Sequence, residues 1–143
     1  MPNFEFDTGL KTYTINGDES RTIIFSPTDQ AFIRRLGEVY GKLETLQNKW
    51  AQAAKDAGDD IDKLLKTMDE AEKEMREAID SVFGKPVCDT VFGDLSVYGI
   101  ASGAPLWANF LFAIFDECDK ELAAQEKATN PRLQKLLKKY GKK

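Results

Sequence analysis

Apolar residues recur at Phe32, Leu36, Val39, Leu43, Leu46 and Trp50, a 4,3,4,3,4 spacing that lays one stripe along a helix reaching to about residue 57. Gly58 stops that helix, and Asp59 or Asp60 is placed to cap a second. Ile61, Leu64, Met68, Ala71, Met75, Ile79 and Val82 then continue in near-heptad spacing as far as Gly84. A short turn between two long helices makes them antiparallel neighbours.

Ahead of this pair the pattern changes. The β-formers Thr12, Tyr13, Thr14 and Ile15, then Thr22, Ile23, Ile24 and Phe25, flank Asn16-Gly17, which supplies the positive φ angles of a tight turn and predicts a hairpin within residues 1–25. A hairpin alone is marginal in water, so it must pack on the helices or pair with a further strand, either from residues 3–6 or from a partner. In Ser26-Pro27-Thr28-Asp29, Ser26 suits an N-cap, Pro27 a first helical position and Asp29 the positive end of the helix dipole.

After Gly84 a short helix is expected around 87–92, with loosely patterned chain following it. Pro105 reopens a helix that begins LWANFLFAIF, apolar on every side except Asn109, and turns amphipathic through Asp116, Glu117, Asp119 and Glu121. Asn130-Pro131 breaks the chain again, and Leu133, Leu136, Leu137 and Tyr140 form a last short amphipathic helix with a lysine face. The expected fold is mainly α (α+β): an N-terminal β-hairpin, a long antiparallel helical hairpin and two to three further helices. One domain covers 1–128, and 129–143 is a basic tail, flexible or a short helix.

Composition adds limits. The 143 residues, 42% hydrophobic and 31% charged, are those of a single folded domain. Seven basic residues and no acid follow Glu126, so the net charge of −4 divides into −11 for the body and +7 for the tail. An acidic body repels phosphate and argues against nucleic acid as partner. Cys88 and Cys118 stand thirty residues apart without a CxxC and read as buried thiols. The first residues lack the basic and apolar regions of a signal peptide, and the apolar run 106–115 is too short to span a membrane, so no membrane partner and a cytoplasmic location are expected.

The chain has no histidine, which removes His-activated nucleophiles and most transition-metal sites. The best acidic constellation is Glu70, Glu74 and Glu77 with Asp116 and Asp119, a set able in principle to hold Mg²⁺ as in all-α nucleotide pyrophosphohydrolases. Against it, Glu72 with Arg76 and Asp69 with Lys73 are i,i+4 opposite-charge pairs that mark a solvated helix face. The stretch from Gly58 through Asp62 fails as a calcium loop because Leu64 stands where glycine is required, and no phosphate-binding loop is present. No catalytic residue, metal ligand or cofactor is assigned.

Two features suit binding. Gly37 and Gly41 sit four apart on one helix face, where another backbone can approach closely. Residues 83–115 hold more aromatics than two helices need to cover, with Phe92, Tyr98, Trp107, Phe110 and Phe112 the candidates for a minority that lines a partner groove while the rest form core.

The segments FSPTDQAFIRRL (25–36) and FGKPVCDTVFGDLSVYGIASGAPLWANFLFAIFDE (83–117), joined by a charged helical pair, resemble the tail assembly chaperones encoded in tail modules of phages and prophages of Gram-positive bacteria. The resemblance, strongest over 23–120, lies in structural residues and contains no catalytic motif. It implies a cofactor-free protein, possible as a homo-oligomer, that binds the tape measure protein in the bacterial cytoplasm during tail assembly and is absent from the finished particle. A tape measure chain, on this view, is a very long helix whose apolar stripes need reversible cover. A structural tail or head-tail connector subunit is the alternative.

Overall fold

The computed structural model describes residues 1–141. The elements run β1 (Lys11–Ile15), β2 (Asp18–Phe25), α1 (Gln30–Ala57), α2 (Ile61–Phe83), α3 (Cys88–Phe92), β3 (Ile100–Ala101), β4 (Ala104–Pro105), α4 (Leu106–Lys127) and α5 (Pro131–Tyr140). This is the mainly helical fold that the patterning requires: an N-terminal hairpin, a long antiparallel helical pair, and three further helices.

β1 and β2 pair antiparallel with Lys11 opposite Phe25 and Tyr13 opposite Ile23, and Asn16 (φ 50°) and Gly17 (φ 78°) close the turn in the left-handed region. Alternation buries one face: Ile23 and Phe25 are buried while Thr22 and Ile24 are exposed. Tyr13 stacks on Phe25 at 4.6 Å between centroids, and Phe25 on Phe32 of α1 at 5.0 Å, so the hairpin is packed onto the start of α1 by aromatic faces.

α1 starts later than the Ser26-Pro27 pair suggests. Asp29 is the N-cap, accepting from the Ala31 amide at 2.9 Å, and Ser26 only closes a preceding turn through its carbonyl, which accepts from the Asp29 amide at 3.2 Å. Ser26 and Pro27 are buried as a continuation of β2, which turns the Ser26 hydroxyl away from the helix amides it was expected to cap. At the far end, Asp60 caps α2 by accepting from the Lys63 amide at 3.0 Å, and Gly84 ends α2 in the left-handed conformation.

The seam of α1 is buried at Phe32, Leu36, Val39 and Leu43, and that of α2 at Met75, Ala78, Ile79 and Val82. The first two turns of α2 depart from the expected continuous stripe, since Ile61 is 62% and Met68 45% exposed. Packing explains the difference. α4 supplies the third layer of the core, and its first turn reaches along α1 only as far as Gln47, whose Oε1 accepts from the Trp107 indole at 2.8 Å.

α4 runs antiparallel to α1. Trp107 lies by Gln47, Phe115 packs against Tyr40 at 6.3 Å, and beyond α1 Glu117 and Glu121 meet Tyr13 and Lys11 of β1. α3 has no cap of its own; Asp80 of α2 serves instead, accepting from the Val87 and Cys88 amides at 2.9 Å each. Arg21 of β2 donates to the Thr90 and Val91 carbonyls at 2.8 and 2.6 Å, tying the hairpin to α3. The loosely patterned stretch after α3 contains the small β3–β4 pair.

α5 is capped by Asn130, which accepts from the Leu133 amide at 3.0 Å, and none of its residues is buried. Lys142 and Lys143 of the basic tail lie outside the described residues. Among the described residues no helix is long and apolar enough to cross a membrane.

Candidate binding cleft

The hairpin, α3 and α4 meet at one place. The inward face of the hairpin brings Ile15 and Ile23, α3 brings Phe92, and α4 brings Leu106, Phe110 and Ile114. The result is an open apolar cleft of about 420 Å³ with Asn16, Asn109 and Glu117 among its polar lining. α4 contributes residues at i, i+4 and i+8, one stripe of its surface.

The walls are braced by polar contacts. The Tyr13 hydroxyl donates to Glu117 at 2.7 Å, and burial together with that bond pushes the phenol well above its usual range. Lys11 pairs with Glu121, and Arg21 holds β2 on α3. Leu95 reaches the cleft from the loop after α3, and Arg76 of α2 fixes that loop through the Gly93 and Leu95 carbonyls at 2.9 and 2.8 Å. Arg76 is held in turn by Glu72 at 2.8 Å, whose carboxylate also accepts from Ser96 Oγ at 2.7 Å and the Val97 amide at 3.0 Å.

The candidates from sequence fall in several places. Phe92 and Trp107 are both buried, and of the two only Phe92 also lines the cleft. Trp107 is 3% exposed with its indole N–H spent on Gln47, and Phe92, 6% exposed, meets Phe110 edge-on at 5.6 Å and offers only its rim to the cleft floor. Phe110 forms a cleft wall. Tyr98 lies elsewhere, in a smaller hollow of about 260 Å³ with Trp50, Met68, Asp69 and Asp94. Its hydroxyl donates to the Ala71 carbonyl at 3.1 Å, and burial with the nearby charges of Glu72 and Glu74 raises its phenol to about 12. Phe112 is 44% exposed and tilts over Tyr40, outside the cleft. A Cβ at Gly37 or Gly41 would meet nothing within 4 Å, so no backbone within the chain makes the close approach that this pair permits.

The hairpin residues Ile15 and Ile23, with Ala113 of α4 and Leu95, were missed as lining. The strand alternation, which puts Ile23 on the buried face of the hairpin, was the available signal for the strand residues.

The acids are differently committed. Glu74 pairs with Lys49 at 3.1 Å and Glu72 with Arg76; the anticipated Asp69–Lys73 pair is absent from the ion pairs of the described residues. No group of three or more cysteine, aspartate or glutamate side chains among the described residues stands close enough to hold a metal ion. Both thiols are buried, and burial raises that of Cys118 to about 11.

Compared with known protein families, with curated proteins and with solved structures, the chain matches none.

Proposed function

We propose that this chain works by holding another polypeptide, as a phage tail assembly chaperone holds the tape measure protein, and that its cleft between the hairpin, α3 and α4 takes one apolar face of a helical segment of that partner. The cleft carries the reading: it is open, lined mainly by aliphatic and aromatic side chains, and walled by elements that a salt bridge and hydrogen bonds hold in place. A helix laid in such a groove is recognised through apolar residues at i, i+3, i+4 and i+7. Each contact is small, so useful retention of a long chain comes from many copies spread along it. The resemblance over residues 23–120 supplies the identity of the partner.

The test is co-expression with the tape measure protein of the same tail module. The wild-type chain keeps that protein soluble and co-purifies with it. Ala113→Glu combined with Leu95→Glu places charge at two exposed cleft positions without disturbing the core, and abolishes both effects. Equal solubility with and without the chain, or undiminished binding by the double variant, overturns the proposal. Mass spectrometry of purified particles separates holder from building block: a stoichiometric amount of the chain in the particle makes it a structural tail or connector subunit instead.

A further inference from the structure

α5 is an ordered helix that buries nothing. Leu133, Leu136, Leu137 and Tyr140, spaced i, i+3, i+4 and i+7, are 51 to 71% exposed on one face, and Arg132, Lys135, Lys138 and Lys139 occupy the rest. A ten-residue helix of this kind is marginal without a surface to cover its apolar face.

A matching surface exists at the opposite end of the molecule. The start of α2 exposes Ile61, Leu65 and Met68, spaced i, i+4 and i+7, at 62, 53 and 45%, and the stripe runs on into the hollow of Trp50 and Tyr98 beside the 64% exposed Leu95. At about 100° per residue, Asp62 and Asp69 both run along one side of this stripe, with Lys66 further round on that side and Lys63 at the back of the helix. Asp94 adds a further acid at the hollow, and none of Asp62, Asp69 and Asp94 forms an ion pair among the described residues. Ten residues of α5 span about 15 Å, close to the length of the stripe with its hollow. The charges are complementary: +7 after Glu126 against −11 up to and including it.

Both surfaces belong to one chain, yet they cannot meet within it. α4 passes Tyr40 at Phe115 and continues twelve residues to Lys127, about 18 Å further toward the hairpin end. Leu65 lies more than 20 Å from the level of Tyr40 in the other direction, since Glu74 stands opposite Lys49 and α2 begins beyond it. The gap is therefore about 40 Å, whereas residues 128–130 and a helix folded straight back reach about 25 Å.

We infer that this chain assembles head to tail, the basic amphipathic α5 of one copy docking on the acid-flanked stripe of Ile61, Leu65 and Met68 on a second copy. Donor and acceptor are different surfaces at opposite poles, so every copy offers one of each and the contact propagates instead of closing as a twofold dimer. One short helix buries less than the roughly 1,200 Å² of a standard stable interface, which makes the assembly weak and reversible. The inference does not rest on the cleft: Leu95 borders both surfaces, and none of the substitutions that test the assembly touches a cleft residue.

Sedimentation velocity of the full chain tests it, from about 10 to 500 µM, the range where an interface this small associates. Wild-type mass rises with concentration, and raising salt from about 0.05 to 0.5 M weakens the association about tenfold by screening the charges. Leu136→Glu with Leu137→Glu removes the donor, and Leu65→Glu with Met68→Glu the acceptor; each variant alone stays monomeric. Lys135→Glu with Lys139→Glu gives the same loss by changing charge alone at exposed positions. The two apolar variants mixed one to one form a complex of two chains and nothing larger, because one intact donor and one intact acceptor remain. Wild type that is monomeric throughout, variants that assemble like wild type, or a mixture that stays monomeric overturns the inference.

Discussion

Replacing Arg76 with Met tests how far one guanidinium holds the far wall of the cleft. Its side chain is 18% exposed and donates to Glu72 at 2.8 Å, Asp89 at 2.9 Å, the Gly93 carbonyl at 2.9 Å and the Leu95 carbonyl at 2.8 Å. The Asp89 carboxylate is 94% exposed, so water screens that pair to about zero. The Glu72 pair, with both groups mostly covered, contributes about 1 kcal/mol. Each carbonyl bonded by the charged donor adds about 1 kcal/mol, since both are exposed enough for water to replace the arginine. Met retains some packing on Phe92, over whose ring the guanidinium sits at 6.0 Å. The net loss is about 2.5 kcal/mol, or about 8 °C in Tm for a chain of this size. The control is Arg34→Met, since Arg34 is 74% exposed and 3.9 Å from Glu38, a pair worth about 0.2 kcal/mol. Thermal unfolding reads the stability, and hydrogen exchange at the Val97 amide, which Glu72 accepts, reads the loop. A Tm within about 2 °C of the Arg34→Met control, or unchanged exchange at Val97, refutes the reasoning.

Two further substitutions probe the core and its titration. Leu43 is fully buried, so Leu43→Ala lowers the free energy of unfolding by about 3 kcal/mol in urea titrations, with the slope unchanged; a loss below about 1 kcal/mol contradicts a rigid seam between α1 and α2. The Tyr98 phenol rises to about 12 from 10.0. Above pH 10 the unfolded chain therefore releases this proton more readily than the folded one: the stability from this group is full below pH 10 and is lost as pH rises toward 12. Tyr98→Phe costs about 1 kcal/mol at neutral pH through the Ala71 bond but flattens the alkaline decline, and an unchanged alkaline slope rules out that origin.

The long elements were legible because their signals are local and redundant. The α1 stripe, Gly58, the Asp60 cap and Gly84 all point to the same two helices, and Asn16-Gly17 specifies its own turn. The start of α1 was misplaced because Ser26-Pro27 satisfies a local capping rule while tertiary burial claims the same residues. α3 shows the other limit, for its cap is Asp80, on a different helix, and no local pattern contains it. The binding surface was half legible. Aromatic excess pointed to the right stretch of chain, yet Trp107 and Phe92 proved to be core because large rings are the cheapest way to fill the angle between α1, α3 and α4. What composes the cleft is a juxtaposition of hairpin and α4, made by the Tyr13–Glu117 and Lys11–Glu121 contacts across more than a hundred residues of sequence, and no periodicity encodes that.

The stripe of α2 illustrates how a pattern can be right and its reading incomplete. Near-heptad spacing runs from Ile61 to Val82, yet the core occupies only its second half because the third layer stops near Gln47. Apolar residues beyond the reach of a core are costly for solubility, and three of them in register on a helix form a patch of the kind that marks an interaction site. The same chain ends its described part in a second helix with an exposed apolar face and opposite charge. Either surface alone would be an unexplained excess. Together, at poles too far apart to meet in one molecule, they are the two halves of a contact between molecules, and the mixture of donor-dead and acceptor-dead chains is the experiment that separates such a contact from two unrelated exposed patches.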